Sequence, residues 1–341
     1  MSAGKGSVQM LRKPKILVVG SFMMDLIASA PRVPGMGETV IGTAFRTAPG
    51  GKGANQAVQC ARLGASASMA GCVGADAFGR ELTEAARTSG VDISHVKVSG
   101  HSPTGIANIQ LEERSGGVQN RILVVPGANG DLRPEDLAWM RDGAGAYDMV
   151  MLQLELSMET TEAAAAYARA AGVPVMLNPA PAAPLSAELL RCVTYLSPNE
   201  HEAALLSGVP LRADESGADE GDLEKVSAAL CARGVKKLIV TLGANGSVIC
   251  GDDGIRHIAC VRMPEVKDPT AAGDSFVAAF CTGVTAGLPE REALAFASYA
   301  AAITVSGMGA MPSLPSLDRV QRLMRERSYA GFDPSVLDAL R

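Results

Sequence analysis

The patterned part of the chain begins with KILVVG at residues 15–20, a continuous apolar run closed by glycine. A strand buried on both faces has this appearance, because neither face has to meet water. Comparable runs recur at 148–153, 173–178, 193–197 and 236–242. Alanine-rich stretches of helical period stand between them, at 52–63, 78–89, 158–171 and 223–233. Strand and helix therefore alternate, which predicts right-handed βαβ units: an α/β fold with a mostly parallel central sheet and helices on both faces.

One region departs from that rhythm. Residues 38–47, 104–112 and 119–125 have the alternation of short antiparallel strands, with turn residues 113–117 between the last two. Strands without intervening helices predict a small separate sheet. Its open face and edges have to be covered by substrate, by closure over the core, or by a second subunit. The expected organisation is a core of 15–37, 48–103 and 126–341, a β lid of 38–47 and 104–125, and a flexible leader at 1–14. Residues 214–222 (DESGADEGD) are expected to form a solvated acidic loop.

Composition narrows the function. Across 341 residues, 31 Lys and Arg face 36 Asp and Glu, a net charge of −5, and aromatics make up 4%. Such a chain offers neither the basic patch nor the stacking platform of a nucleic-acid binder, and no basic stretch for an anionic membrane. No apolar run is long enough to span a bilayer. The seven cysteines are odd in number and form no Cys-x-x-Cys pair, and the four histidines are scattered. This suits a reducing compartment, the cytoplasm, rather than a disulfide framework or a zinc site.

An α/β chain invites a search for phosphate loops. Both Gly-Lys pairs, 4–5 and 51–52, are followed by Gly, so no P-loop exists, and no G-x-G-x-x-G occurs. The alternative is DPTAAGD at 268–274, which leads into an apolar helix at 275–286. Small residues before a helix leave backbone N–H groups unshielded, and the helix dipole adds positive charge there. Ala271, Ala272 and Gly273 would form an anion hole for a transferring phosphoryl group, and Asp274 would take a proton from a hydroxyl. Alone, Asp274 could equally complement the dipole while Gly273 permits close packing. PGGKGAN at 49–55 also opens a helix; its Lys52 and Asn55 offer a charge and an amide to a polyol, or simply a surface turn. Asp25 stands just past the first strand, where α/β sheets bind ligands and where helices are also capped.

Together these segments resemble the ribokinase family of sugar kinases, the phosphofructokinase-B type, from about Ile16 to Pro315. GGKGANQA at 50–57 and DPTAAGDSF at 268–276 are similar to the family's two signatures. NPAP (178–181), SPNEHE (197–202) and TLGANG (241–246) fall between them in family order. The resemblance implies ATP-dependent phosphorylation of D-ribose at O5 to ribose 5-phosphate. It makes Asp274 the base, with Ala271, Ala272 and Gly273 as the anion hole. Asp25, Gly51, Lys52, Asn55 and Glu155 would join Asp274 around the sugar. Asn199 and Glu202 would order Mg2+ through water. Asn199, Thr241, Leu242, Gly243, Ala244, Asn245, Gly246, Gly273 and Ser298 would contact ATP. An activating K+ would be held by Asp268, Thr270, Thr304, Gly307, Gly309 and Ser313, mostly through carbonyls. A homodimer through the lid is also expected.

The chain departs from the family pattern at four positions. Met23 stands where an Asn is common, Pro269 and Ala271 replace the usual Thr and Gly, and Ser298 occupies a place where Asn or His is frequent. A fructokinase or adenosine kinase is the nearest rival, although a purine would call for aromatic residues and the first two lid segments contain only Phe45. A non-catalytic sensor of the same fold would have no use for a base at Asp274.

Overall fold

Strand Lys15–Val19 shows how the two-sided core arises. Its alternate residues Ile16 and Val18 enter one buried cluster, and Leu17 and Val19 enter a second on the opposite face. The computed structural model describes residues 11–114, 117–214, 217–251 and 254–341. In these residues the central sheet runs Gly254–Ile258, Ser247–Gly251, Lys237–Thr241, Tyr195–Leu196, Val175–Leu177, Met149–Leu152, Lys15–Val19, Ser66–Gly74 and Asp92–Ser99. All pairings are parallel except the two that join Lys237–Thr241, Ser247–Gly251 and Gly254–Ile258. The expected α/β architecture is present.

The helices expected from the alanine-rich stretches are Lys52–Arg62, Ala77–Thr88, Met158–Ala170 and Glu220–Cys231. The last begins earlier than its apolar pattern because Asp219 caps it, accepting from the Asp222 N–H at 2.9 Å. The acidic stretch is therefore only partly loop. Ala213–Asp214 pairs with Gly217–Ala218, Asp222 is clamped by Arg212 at 2.7 Å, and residues 215–216 lie outside the described residues. Four sheet strands carried no clear sequence signal: Ser66–Gly74, Asp92–Ser99, Ser247–Gly251 and Gly254–Ile258.

The small sheet has four strands, in the order Ala44–Gly50, Met23–Ala30, Ile106–Arg114, Gly117–Val125. Met23–Ala30, assigned from the sequence to the core segment, is a lid strand and pairs parallel with Ile106–Arg114. Residues 38–43 lie outside any strand, so this lid segment contributes pairing only from Ala44 onward. Within 1–14, residues 1–10 lie outside the described residues. The remainder is anchored rather than free: Leu11 is buried and Arg12 pairs with Asp148 at 2.8 Å. All seven cysteines are free thiols, four of them buried. No described helix is long and apolar enough to cross a membrane.

Candidate active site

The sheet changes direction beside Lys15–Val19. The chain first builds outward through Ser66–Gly74, and later through Met149–Leu152 on the other side. Ligands bind in such a crevice, at the carboxyl ends of the diverging strands. Ser21 follows the first strand and Glu155 follows Met149–Leu152, and the Ser21 hydroxyl donates to the Glu155 carboxylate across the gap. Glu155 also accepts the Lys52 backbone N–H at 2.9 Å. That N–H opens helix Lys52–Arg62, whose preceding residue, Gly51, adopts φ 93°. A side chain there would meet the Met23 backbone nitrogen at 2.7 Å, so only glycine lets the helix start this close to the strand.

Asp274 is buried in the first turn of helix Ala272–Ala286, which packs against Lys52–Arg62. Asn55 Nδ2 donates to its Oδ2 at 2.9 Å and Gln56 Nε2 to its Oδ1 at 3.0 Å. Gln56 is itself fixed: its oxygen accepts from Gln153 Nε2 at 2.6 Å, and its nitrogen also reaches Asn178 Oδ1 at 3.2 Å. Asn178 in turn donates to the Ser197 carbonyl at 2.9 Å. Gln56, Gln153 and Asn178 were not singled out from the sequence as site residues. Gln56 and Asn178 lie inside GGKGANQA and NPAP, yet nothing in their spacing distinguishes a positioning amide from a core one.

Three contiguous cavities follow one another here, and the first two meet at this carboxylate. The first, of ≈ 580 Å³, is lined by Asp25, Gly51, Lys52, Asn55, Glu155 and Asp274, all six expected sugar contacts. The lid closes it with aliphatic side chains. Asp25, Ala107 and Val124 lie on one cross-strand rung, and Ile109 and Ile122 on a neighbouring rung of the same face. The second, of ≈ 240 Å³, shares Lys52, Ala271 and Asp274 with the first and adds Asn199, Glu202, Thr241 and Gly273. The third, of ≈ 740 Å³, shares Asn199, Thr241 and Gly273 with the second. It continues past Gly243, Ala244, Gly246 and Ala272 to Ser298, and the segment Cys260–Met263 forms a wall that no motif announced. Leu242 is packed in the core instead of lining this cavity, because its side chain points into the cluster behind the sheet. Asn245 closes the 3-10 turn Gly243–Asn245.

The electrostatics are those of a desolvated acidic cradle around one ammonium. Burial pushes the Asp25 carboxyl up to about 7, with Glu155, Asp274 and Asp268 adding like charge. Glu155 and Glu202 are also raised, chiefly by burial. Lys52 loses hydration, but Asp274, Glu155 and Glu202 around it outweigh that and raise its affinity for the proton. Among the described residues, Asn55 Oδ1 is buried without a partner at the first cavity, and Ser197 Oγ is likewise unpaired beside the second. Such orphaned groups are costly unless a ligand supplies the missing bonds.

At the expected anion hole, the Ala272 N–H turns back to the Pro269 carbonyl at 3.2 Å. The first bond of the helix proper runs from the Ser275 N–H to the Ala271 carbonyl at 2.8 Å, so the N–H groups of Gly273 and Asp274 precede the helical ladder. Asn199 and Glu202 form a reciprocal cap on helix Glu200–Ser207, with bonds of 2.8 and 2.9 Å. The pair is therefore rigid where it borders the phosphate-side cavity. The expected cation loops also come together. Asp268 accepts the Thr270 and Gly309 N–H groups, each at 2.9 Å, and these bonds hold its carboxyl below the usual range against the effect of burial. The Thr304 hydroxyl bonds to Ala300 and that of Ser313 to Ala310, while the Thr304 carbonyl accepts the Gly307 N–H at 3.0 Å.

A polyol-sized cavity joined through a buried carboxylate to a helix N-terminus and a nucleotide-sized cavity defines a small-molecule phosphotransferase. The family model for "pfkB family carbohydrate kinase" matches residues 13–317. The chain is 39% identical to ribokinase of Schizosaccharomyces pombe, over 89% of this chain and 95% of that protein. It is 37% identical to ribokinase of Bacillus subtilis, over 91% and 99%. Among solved structures it resembles Arabidopsis thaliana ribokinase complexed with ribose and ATP, at 34% identity and a TM-score of 0.83, over 92% of this chain and 99% of that one. The chain belongs to the pfkB family of carbohydrate kinases.

Proposed function

We propose that this enzyme transfers the terminal phosphoryl group of ATP to O5 of D-ribose, releasing ribose 5-phosphate and ADP. The observation that carries the reading is the placement of Asp274, with both oxygens held by amides at the junction of the sugar-side and phosphate-side cavities. Asp25, Glu155 and the unpaired Asn55 Oδ1 accept hydroxyl protons of the sugar, and Gly51 and Lys52 donate to its oxygens. Asp274 then removes the O5 proton as the oxygen attacks phosphorus. The N–H groups of Ala271, Ala272 and Gly273, with Ala272 freed from its turn bond, meet the charge on the migrating group. The adenosine end lies along Thr241, Gly243, Ala244 and Gly246 toward Ser298.

The donor set at Asn199 and Glu202, one amide and one carboxylate on a rigid cap, suits a hydrated Mg2+, which needs few protein ligands and neutralises phosphate charge when bound. The loops at Asp268–Thr270 and Thr304–Ser313, tied by the Asp268–Gly309 bond, suit a K+ held by carbonyls. The lid supports a homodimer. Ile122 and Val124 line the sugar-side cavity, Leu123 and Val125 alternate to the other face, and all four stay 44–66% exposed, which leaves apolar surface on this strand to cover. Light scattering at micromolar concentration tests it, and a monomer contradicts it. The cytoplasm remains the compartment that seven free cysteines suit best.

Ribose is favoured over adenosine because the lid wall of the sugar cavity is aliphatic, and the exposed Phe45 does not line it. A coupled assay over ribose, fructose and adenosine, in potassium and in sodium, tests the reading. Ribose should give the highest kcat/KM, and potassium the higher rate. A higher value for fructose or adenosine would overturn the specificity, equal rates in both salts would remove the K+ site, and no turnover at all would favour the sensor.

A further inference from the structure

Behind the base end of the nucleotide cavity lies a separate concave site of ≈ 440 Å³ with a different character. Arg262, Arg291 and Arg327 line it together with His257, over a floor that includes Tyr299 and Tyr329. None of its lining residues is an Asp or a Glu. In a chain of net charge −5 this concentrates positive charge in one hollow.

Only one of the three guanidiniums has a carboxylate partner among the described residues. Among the described residues, Arg262 and Arg327 form no salt bridge, and Arg327 donates to the Arg262 backbone carbonyl at 3.2 Å, an uncharged partner. Arg291 forms a salt bridge with Glu292 at 3.6 Å, too long for a hydrogen bond, so its N–H groups stay available to a ligand. Glu292 meanwhile accepts the Tyr329 hydroxyl. Arg262, Arg291 and Arg327 come from three segments far apart in sequence and are brought to one hollow by the fold. The two tyrosine rings meet edge-on at 5.6 Å, which makes the floor rigid.

We propose that this pocket binds a small, soluble phosphate-bearing anion, at a site distinct from the phosphate-side cavity at Asp274. Guanidiniums suit such a ligand because their paired N–H groups match phosphate oxygens two at a time. The pocket shares Cys260, Val261, Arg262 and Ser298 with the nucleotide cavity, so its occupant lies against the wall that the nucleotide touches from the other side.

Pyrophosphate is the probe, titrated by calorimetry into the full chain already saturated with a non-hydrolysable ATP analogue, which fills the anion hole. One saturable site is expected. Its affinity should fall at least about tenfold in the Arg291→Gln/Arg327→Gln double variant, while ribose phosphorylation stays within about twofold of wild type. Arg291→Glu alone, at a side chain 68% exposed, gives an independent reading if the double variant melts early, and should also abolish binding. No saturable binding to the nucleotide-filled protein, or equal affinity in the variants, would overturn the proposal. The readout is heat of binding and does not depend on which sugar is phosphorylated.

Discussion

Gln56 Nε2 donates to Asp274 Oδ1 at 3.0 Å while the Gln56 oxygen is occupied by Gln153 at 2.6 Å. The amide therefore cannot flip: one end is fixed by a donor, which obliges the other end to donate to the carboxylate. Asn55 fixes the second oxygen, so the carboxylate plane is set before any substrate arrives. Gln56→Met keeps the volume and removes the donor. Turnover should drop roughly 10–100-fold, with a stability loss of about 1–3 kcal/mol for the groups left unpaired, and the sugar KM should change much less than kcat. Steady-state kinetics with a thermal melt check this. An unchanged kcat would show that Asn55 alone orients the base.

Asp25 titrates in an unusual range, about 7 against an ordinary 3.8. Between those two values the folded protein holds a proton that the unfolded chain has released. Stability of the ligand-free enzyme should therefore decline as pH rises from about 4 to 7 and level off above. Asp25→Asn should flatten that slope. Because the ionised form accepts sugar hydroxyls, ribose affinity should rise up to about tenfold from pH 6 to pH 8. Urea melts across pH, with calorimetric sugar titrations, test both. Stability that rises with pH in this window, and is unaltered by Asp25→Asn, would contradict the assignment.

Gly273 is exposed, and a methyl group added there would meet nothing within 4 Å. Gly273→Ala should leave the fold intact and raise stability by up to about 1 kcal/mol, as alanine favours helix. The same methyl would project where the phosphate-side and nucleotide cavities meet, so kcat/KM for ATP should fall by about tenfold or more, as backbone approach to phosphate is blocked. Wild-type kinetics in this variant would place the phosphates elsewhere.

Ala271 holds φ at 61°, in the left-handed region, at the position where the family commonly has glycine. An alanine there costs on the order of 1–2 kcal/mol, partly offset by the restriction it places on the unfolded chain. Ala271→Gly should therefore stabilise the protein by about 0.5–1 kcal/mol in urea unfolding. A loss of stability would mean the loop before the helix is not strained.

The sheet was legible where burial on both faces makes an unbroken apolar run, as at Lys15–Val19. It was not legible at Gly254–Ile258, an edge strand whose half-exposed face dilutes the pattern. Met23–Ala30 escaped assignment to the lid because its chain neighbour is a core strand, and only tertiary pairing shows that it left. The motif residues Asp25, Lys52, Asn55, Glu155 and Asp274 converge on one cavity as their order suggested. The amides behind them, Gln56, Gln153 and Asn178, act through packing between segments roughly a hundred residues apart or more, a distance that spacing along the chain does not encode.

Asp274→Asn tests the base most directly, since the amide keeps the shape and loses the proton acceptor. Turnover of ribose should fall by about 10²–10⁴-fold, while calorimetric affinities for ribose and for the ATP analogue stay close to wild type. Turnover near that of wild type, with both ligands still bound, would show that the proton leaves by another route.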